Sequence, residues 1–504
     1  MHSIVLTTFN ARYSHASLAL RYLYANLREL REHSVIREFV IGEHVQQIAE
    51  RILAESPAIV GIGAYIWNAS DVSELVGILK KVSPDTVIVL GGPEASHLPH
   101  RVDFGKADYV IGGEGEVAFY ELCRDLLAGE AHTERFIKAP AVDVAQIALP
   151  YDDYDAEDIA HRHVYLETSR GCPYLCEFCL SAIDDRMRYF DLGVMTAEFE
   201  KLWERGVRSF KFIDRTFNLK LTYANAILDF FLAKNEPCFL HFEVIPDHFP
   251  EALRGRIAQF GPAVLQLEIG IQTLNPTVAE NIHRPLRREK IEANLRFLEA
   301  HTRAHLHLDL IVGLPGETLE SFARGLNTLV SWSSGEIQIG ILKKLSGTTM
   351  ARHDDPFGMV YSDAPPYDVL KTAHVSFEAI QKMKRFARYW DLLYNSGRFA
   401  RSVRLLWSDG DVFGGFSAFS DWVYTQTAAT WKIAQERLAK LLFDYLTAVQ
   451  GADETAVGEA MAADFSGAGG TKLPPFLRAF APECGANERP FTGDAATKRQ
   501  RLRS

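Results

Sequence analysis

The sequence has no long hydrophobic run, and cysteine is scarce. No apolar stretch approaches the ~20 residues of a membrane-spanning helix, and the first six residues form a strand-like run with no signal peptide. Only 6 of the 504 residues are cysteines. A disulfide needs an oxidising compartment, and nothing in the sequence indicates one. We therefore expect a cytoplasmic protein without a membrane span.

Nucleotide-binding motifs and an excess of basic residues are also missing. There is no phosphate loop with Gly-Lys-Ser/Thr, and residues 61–66, Gly-Ile-Gly-Ala-Tyr-Ile, lack the third glycine of the dinucleotide fingerprint. The net charge of −11 gives no support for nucleic-acid binding. Hydrophobic residues make up 47% of the chain, an ordinary globular composition. The length predicts two or three domains.

Three of the cysteines lie in one short stretch. Residues 170–179 read Arg-Gly-Cys-Pro-Tyr-Leu-Cys-Glu-Phe-Cys, with thiols at Cys172, Cys176 and Cys179. Three thiolates can hold three irons of a 4Fe–4S cluster, whereas ordinary electron-transfer clusters have four cysteines. The fourth iron would be free to bind a substrate or cofactor. A zinc site completed by His161 or His163 is the main alternative, and buried unreactive cysteines are another.

This spacing, with the aromatic Phe178 before the last cysteine, resembles the signature of the radical S-adenosylmethionine enzymes. The resemblance implies a 4Fe–4S cluster whose open iron chelates the amino and carboxylate groups of S-adenosylmethionine. An electron from the cluster then cleaves the sulfonium to methionine and a 5′-deoxyadenosyl radical. The electron donor implied is a flavodoxin or ferredoxin.

The first 140 residues alternate short apolar runs with helix-like stretches. Five predicted strands and the helices between them favour a parallel, doubly wound, flavodoxin-like sheet. The predicted strands are Ile4 to Leu6, Phe39 to Ile41, Ile59 to Ile62, Val87 to Leu90 and Tyr109 to Ile111. Glycines follow three of these strands. They indicate either tight strand-to-helix turns or a surface that a flat ligand approaches closely.

Placed before the cysteine motif, this unit resembles the cobalamin-binding domain of cobalamin-dependent radical enzymes. Residues 10–20 and 91–96 carry the resemblance. It implies a set of residues near the corrin: Tyr13, His15, Ser17, Gly61, Gly63, Tyr65, Trp67, Gly91, Gly92, Gly112, Gly113, Glu114 and Glu116. The Asp-x-His-x-x-Gly motif that supplies a lower axial histidine in the methionine synthase type is absent. His15 could approach the ring, or it could be a helix cap or a surface residue.

Residues 141–163 contain prolines and an acidic run, and we expect an exposed, solvated linker there.

From residue 164 to 345 the alternation of strands and helices resumes. Six predicted strands, separated by helices, favour an open (β/α)6 barrel with its site at the strand ends. They are Val164 to Thr168, Ser209 to Ile213, Cys238 to Val244, Val264 to Ile269, His305 to Ile311 and Glu336 to Leu342. The radical family implies the same partial barrel.

The polar residues at these strand ends are candidates for binding S-adenosylmethionine. The loop after the second strand reads Phe-Ile-Asp-Arg where the family commonly has Gly-Gly-Glu. Carried over from the family, Asp214 contacts the amino group, Glu243 and Gln272 the ribose, and Leu314 packs on the adenine. Alternatively, these polar residues pair with one another or with Lys343 and Lys344.

Residues 346–450 have helical spacing and resemble an uncharacterised helical domain that accompanies some of these radical proteins. From residue 451 to 504 the composition predicts a mostly disordered tail.

The leading functional hypothesis is a cobalamin-dependent radical S-adenosylmethionine methyltransferase that acts on an unactivated carbon. A cyclase or rearrangement enzyme that binds cobalamin without methyl transfer is one alternative, and a non-catalytic corrin and iron–sulfur sensor is the other. The sequence does not identify the substrate.

Overall fold

The computed structural model describes residues 2–130, 132–407, 409–467 and 473–481. The rest of the predicted tail, residues 468–472 and 482–504, lies outside the described residues. In the described part of the chain no helix is both long and apolar enough to cross a bilayer.

The first domain is built on a six-stranded parallel sheet, which confirms the predicted doubly wound fold. Its strand order, β2-β1-β3-β4-β5-β6, is the flavodoxin-like order with one strand added at the edge. The strands are β1 (Ile4–Asn10), β2 (Ser34–Val40), β3 (Ile59–Gly63), β4 (Val87–Gly91), β5 (Tyr109–Gly112) and β6 (Phe136–Lys138). The helices are α1 (Leu18–Ala25), α2 (Val45–Leu53), α3 (Ala69–Val82) and α4 (Gly115–Leu127). Helices cover both faces, so every residue of β1 is buried.

The sequence patterns missed two local features of this domain. Strand β6 is only three residues long and follows a polar stretch, so it carries no clear strand signal. One of the helix-like stretches between the predicted strands runs from Ser17 to Arg31 in the sequence. In the structure it is broken, because Arg28 adopts a left-handed conformation with φ of 51°. A 3₁₀ helix, Arg28–His33, follows the break.

The segment predicted as a solvated linker contacts both the first domain and the barrel domain. It contains the short helix α5 (Ala156–His161), and the side chains of Tyr151 and Tyr154 are fully buried. The buried carboxylate of Asp158 lies 2.5 Å from the guanidinium of Arg21 on α1. The prediction of an exposed connection holds for Asp152, Asp155 and Glu157. It does not hold for Asp158, which is buried because it neutralises an arginine of the first domain.

The next segment forms the predicted open barrel. Its main sheet is parallel, with the order β14-β13-β12-β11-β10-β7, and β7 and β14 are its two edges. The strands are β7 (Val164–Leu166), β8 (Ser169–Arg170), β9 (Arg188–Tyr189), β10 (Ser209–Phe212), β11 (Phe239–Val244), β12 (Leu265–Gln272), β13 (His305–Val312) and β14 (Glu336–Ile341). The helices are α6 (Leu192–Glu204), α7 (Leu221–Leu232), α8 (Glu251–Ile257), α9 (Pro276–Asn281), α10 (Arg288–His301) and α11 (Leu319–Trp332).

Strands β12 and β13 of the barrel alternate strictly between two kinds of environment. In β12 and β13 every second residue is a buried aliphatic packed in the core with the surrounding helices. The residues between them are partly exposed and mostly polar, among them Gln266, Glu268, His305, His307 and Asp309. Because successive side chains of a strand point to opposite faces, the polar set faces the lumen. The lumen is therefore a polar cavity.

The C-terminal part is mostly helical, as predicted. It consists of a small antiparallel hairpin, β15 (Val360–Tyr361) and β16 (Val369–Lys371), and of α12 (Phe377–Trp390), α13 (Val412–Thr427), α14 (Gln435–Asp444) and α15 (Glu454–Gly467). Helix α15 lies within the predicted disordered tail. It buries Val457, Met461 and Phe465 against the preceding helices. The composition of the segment did not indicate this apolar helix face.

Candidate functional site

The cysteine loop follows β7 and is enclosed by the short antiparallel ladder of β8 and β9. Gly171 begins the loop with φ of 86°, and a Cβ built there would lie 2.2 Å from the carbonyl oxygen of Arg186. Only glycine fits that backbone. The amide of Cys172 donates to the carbonyl of Asp184 at 2.9 Å. The loop is thus closed on itself by backbone contacts.

The three thiols lie in a partly buried setting, and an arginine contacts one of them. Cys172 and Cys176 are buried and Cys179 is half-buried. Burial, together with the neighbouring Cys179 and Cys176, raises the pKa of the Cys172 thiol. The guanidinium of Arg284 lies 3.4 Å from the sulfur of Cys176. Three clustered thiols with one adjacent cation suit a metal cluster that binds them as thiolates.

The spacing of the cysteines does not favour the zinc alternative. A tetrahedral zinc ion with Zn–S bonds of ~2.3 Å brings its sulfurs within roughly 3.8 Å of one another. Among the described residues, Glu268, His307 and Asp309 in the lumen place three potential ligand atoms within 4.8 Å of one another. The sulfurs of the three cysteines do not form such a close group. The two candidate histidines have other contacts, since His161 pairs with Glu157 and His163 contacts Ser209.

A buried carboxylate inside the motif fastens the loop to the rest of the barrel. Glu177 is 4% exposed and lies between two of the cysteines. Its oxygens accept from Arg352 at 2.8 Å and lie 2.5 Å from His353 and 2.9 Å from His283. Sequence reasoning missed this residue. The signal was present, since an acid between two cysteines of a buried loop needs a partner.

Two arginines that flank the loop bind the first domain. Arg170, on β8, lies 2.7 Å from Glu116 and 2.7 Å from Glu167. Arg188, on β9, lies 2.5 Å from Glu114. Glu114 and Glu116 stand at the turn between β5 and α4, where they were predicted to lie near a corrin. In the structure they clamp this turn to the cysteine hairpin.

The loop after β4 makes a second contact between the domains. The side chain of Arg101 contacts the carbonyl of Lys344 just beyond β14, and Tyr367 contacts Glu94. Gly347 lies against the ring of His97, where a Cβ would be only 2.4 Å away. The glycine-rich carboxyl edge of the first sheet therefore faces the carboxyl end of the barrel.

Among the predicted S-adenosylmethionine contacts, Asp214 and Glu243 already have protein partners. Asp214 is 2% exposed and accepts from the amide and hydroxyl of Thr168 and from Ser169, which fixes the end of β7. Burial raises its pKa. Glu243 lies 2.9 Å from the guanidinium of Arg215. Their contact with S-adenosylmethionine remains a prediction.

Gln272 offers a buried acceptor that fits a bound cofactor. It ends β12 at a bulge and adopts a left-handed conformation with φ of 70°, which is uncommon for a residue with a side chain. Its Oε1 atom is buried, with no hydrogen-bond partner among the described residues. Leu314 is fully buried and Phe178 is half-buried, and both pack with the barrel core.

Glu317, in the loop after β13, gives the barrel a pH-dependent stability. It is 3% exposed and accepts from Thr273 at 3.0 Å and Ser321 at 3.1 Å. Burial raises its pKa from 4.5 to about 7. The folded protein thus binds this proton more tightly than the unfolded chain does, so stability falls as pH rises from about 4.5 to 7.

Replacing Glu317 with glutamine is expected to remove this loss of stability at higher pH. The amide keeps a hydrogen-bonding group in place, and the variant should be more stable than the wild type at pH 8 by up to about 3 kcal/mol, with little difference at pH 4.5. Urea unfolding at both pH values measures the difference. An equal effect at both pH values would contradict the assignment.

Most of the predicted corrin glycines approach protein atoms closely. Gly92 and Gly113 have φ of 95° and 100°, and a Cβ on them would lie 2.5 Å and 2.6 Å from backbone oxygens. Side chains on Gly61 and Gly112 would collide with Phe119 and Phe136. The neighbours of Gly63 and Gly91 lie at 3.3 Å and 3.7 Å. Tight turns account for Gly92 and Gly113, and side-chain packing accounts for Gly61 and Gly112. Gly63 and Gly91 have more space around them.

The predicted polar and aromatic corrin residues fall into two groups. Tyr65 and Trp67 stack at 4.5 Å, and Trp67 is 47% exposed. Tyr13 is also exposed and donates to Glu157 at 2.5 Å. Ser17 caps α1 by accepting from the amide of Leu20. His15 contacts the hydroxyl of Tyr165 on β7, so it lies at the boundary between the domains.

Comparisons with known proteins agree with this architecture. The family model of the B12 binding domain matches residues 4–123, that of the radical SAM superfamily matches residues 166–329, and a domain of unknown function, DUF4080, matches residues 355–495. The chain is 26% identical over 334 residues to a 2-(S-pantetheinyl)-carbapenam-3-carboxylate methyltransferase of Streptantibioticus cattleyicolor, covering 58% of this chain and 47% of that one. It is 25% identical to an uncharacterised methyltransferase of Pyrococcus horikoshii, covering 73% and 86%.

Solved structures share the fold. The cobalamin-dependent S-adenosylmethionine radical enzyme OxsB superposes with a TM-score of 0.62 at 13% identity, covering 93% of this chain and 84% of that one. The methyltransferase TsrM of Kitasatospora setae gives 0.58 at 19% identity, covering 72% and 78%. The two matching domain models assign a 4Fe–4S cluster, S-adenosylmethionine and cobalamin as cofactors. The chain thus carries a B12-binding domain followed by a radical SAM domain, and in this it resembles the cobalamin-dependent radical S-adenosylmethionine enzymes.

Proposed function

We propose that this enzyme is a methyltransferase that acts on an unactivated carbon. Relatives named as methyltransferases support the reaction type. The observation that carries the proposal is the clamp of Glu114 and Glu116 on Arg170 and Arg188. It joins the edge of the first domain at which we expect the corrin directly to the cysteine loop. Methyl transfer to a carbon radical needs the two cofactors near one substrate, and this clamp serves that need.

The chain's own residues would act by holding and positioning. Cys172, Cys176 and Cys179 would hold the cluster, and Arg284 would balance thiolate charge. Gln272 would donate to or accept from the bound S-adenosylmethionine. When bound, the cofactors supply the radical that removes a hydrogen atom from substrate and the methyl group that replaces it. No protein nucleophile is required.

The test is incubation of the anaerobically reconstituted full chain with methyl-labelled S-adenosylmethionine and a chemical reductant. A methyltransferase is expected to form 5′-deoxyadenosine and to move label to the corrin. A cyclase or rearrangement enzyme would form 5′-deoxyadenosine without labelling the corrin. A sensor would do neither, and either of these results would refute the proposal.

A further inference from the structure

A large polar cavity lies at the amino ends of most of the barrel strands and extends along the gap between β7 and β14. Its volume is about 2210 Å³, which is ample for a metabolite-sized ligand. All three domains line it: His15 from the first, lumen residues of the barrel, and Lys384 and Arg388 from α12. The domain of unknown function therefore forms one wall of the cavity.

Basic side chains outnumber acidic ones in the lining of this cavity. Several at its rim are already neutralised by neighbours, as Lys384 is by Asp368 at 2.7 Å and Arg388 by Asp391 at 3.3 Å. Lys211, in the middle of β10, differs from them. Among the described residues no carboxylate lies within ion-pair distance of its ammonium group.

The acids whose charges reach Lys211 are held by closer partners. Glu268 on β12 lies 2.9 Å from His241 on β11, and Glu243 lies 2.9 Å from Arg215. The other groups around Lys211 are neutral or basic: Tyr165 on β7, His163 beside it and His15. Burial lowers the pKa of Lys211, and burial followed by the charge of Lys211 lowers that of His163 to about 4. Lys211 is therefore a desolvated cation that faces a cavity, is only partly balanced by these more distant carboxylates, and could be balanced fully by an anion in the cavity.

We propose that this cavity binds an anionic ligand whose carboxylate or phosphate group pairs with Lys211. The inference goes beyond the proposed function, because the three cysteines of the motif and Gln272 are not among the residues that line this cavity. His163 and His15 stand close enough to this position to add neutral hydrogen-bonding groups, and α12 closes the opposite wall. Anion binding favours the protonated lysine, so affinity falls as pH rises through the lowered pKa of Lys211.

The experiment measures binding to the full chain reconstituted with its cofactors, by isothermal titration calorimetry. The probes are phenyl phosphate, benzoate and the neutral benzyl alcohol. We expect at least one anion to bind at millimolar concentration and benzyl alcohol to bind more weakly. The relative affinities of phenyl phosphate and benzoate distinguish a phosphorylated from a carboxylated ligand.

Three variants make the test specific. Lys211→Met is expected to weaken anion binding about tenfold or more, because a charge-assisted hydrogen bond is lost, and Lys211→Arg is expected to restore it. The control is Lys234→Met, which removes a lysine paired with Glu200 on the outer helices. Equal affinity in Lys211→Met, equal binding of benzyl alcohol, or no binding of any probe would overturn the inference. The transfer of label to the corrin tests the proposed function and is measured without these probes. The binding experiment tests the anion site, so the failure of one proposal can be distinguished from the failure of the other.

Discussion

Replacement of Cys176 with alanine is expected to remove the iron–sulfur cluster and reduce 5′-deoxyadenosine formation to background. The loop supplies only three thiolates, so a variant retains two ligands for four irons. Cys176 is buried, and the neighbouring guanidinium of Arg284 would then face an uncharged methyl group. Iron and sulfide analysis, visible absorption and product quantification measure the loss.

The matched control is Cys123→Ala, in the core of the first domain. Cys123 is fully buried, and burial raises its pKa, as for an inert structural thiol. Its truncation is expected to cost about 1 kcal/mol of stability and to leave the iron content unchanged. Retention of a full cluster in Cys176→Ala, or its loss in Cys123→Ala, would contradict the assignment of the cluster to this loop.

Replacement of Arg170 with methionine is expected to destabilise the protein by about 3–5 kcal/mol. Arg170 is the shared partner of Glu116 and Glu167, whose side chains are 7% and 9% exposed. Removing one member of a buried ion-pair network leaves uncompensated charges in a poorly solvated place. The guanidinium also stacks on the ring of Tyr22 from α1, at 4.8 Å. Urea-induced unfolding measures the change.

The same variant is expected to retain less iron after reconstitution, because Arg170 precedes the cysteine loop and holds it against the first domain. Arg296→Met is the control, since Arg296 pairs with Glu292 on an exposed helix face. Loss of such a surface pair is expected to cost less than about 1 kcal/mol. Comparable effects in the two variants would show that the clamp contributes nothing beyond a surface pair.

The clamp has a consequence for how the two cofactor domains work together. The turn after β5 contacts the cysteine hairpin, and the loop after β4 contacts the segment that follows β14. The carboxyl ends of both sheets thus face each other. In parallel α/β sheets this is where ligands bind, so a ligand at the carboxyl edge of one sheet would lie on the side that faces the other domain.

Much of the fold was predictable because it depends on periodicity. The apolar runs of β1 and β3 mark buried parallel strands, and the alternation in β12 and β13 marks strands with one polar face. Strand β6 was not predictable, since three residues are too few to show a period. Helix α15 was missed because alanine and glycine dominate its composition.

The candidate site was predictable to a smaller extent. The cysteine spacing alone identified the loop, since three ligands within eight residues are a local pattern. The partners of Glu177 come from residues more than 100 positions away, so no local pattern connects them. The same holds for Glu114, which was expected near a corrin and contacts Arg188.

The sequence by itself determined the chemistry of the ligands and the order of strands and helices, because both depend on residue type and on spacing along the chain. Tertiary structure alone decided which charges neutralise one another. It paired Glu116 with Arg170 and left Lys211 facing the lumen without a carboxylate partner among the described residues. The physical reason is that ion pairing depends on distance through space, and chain topology sets that distance.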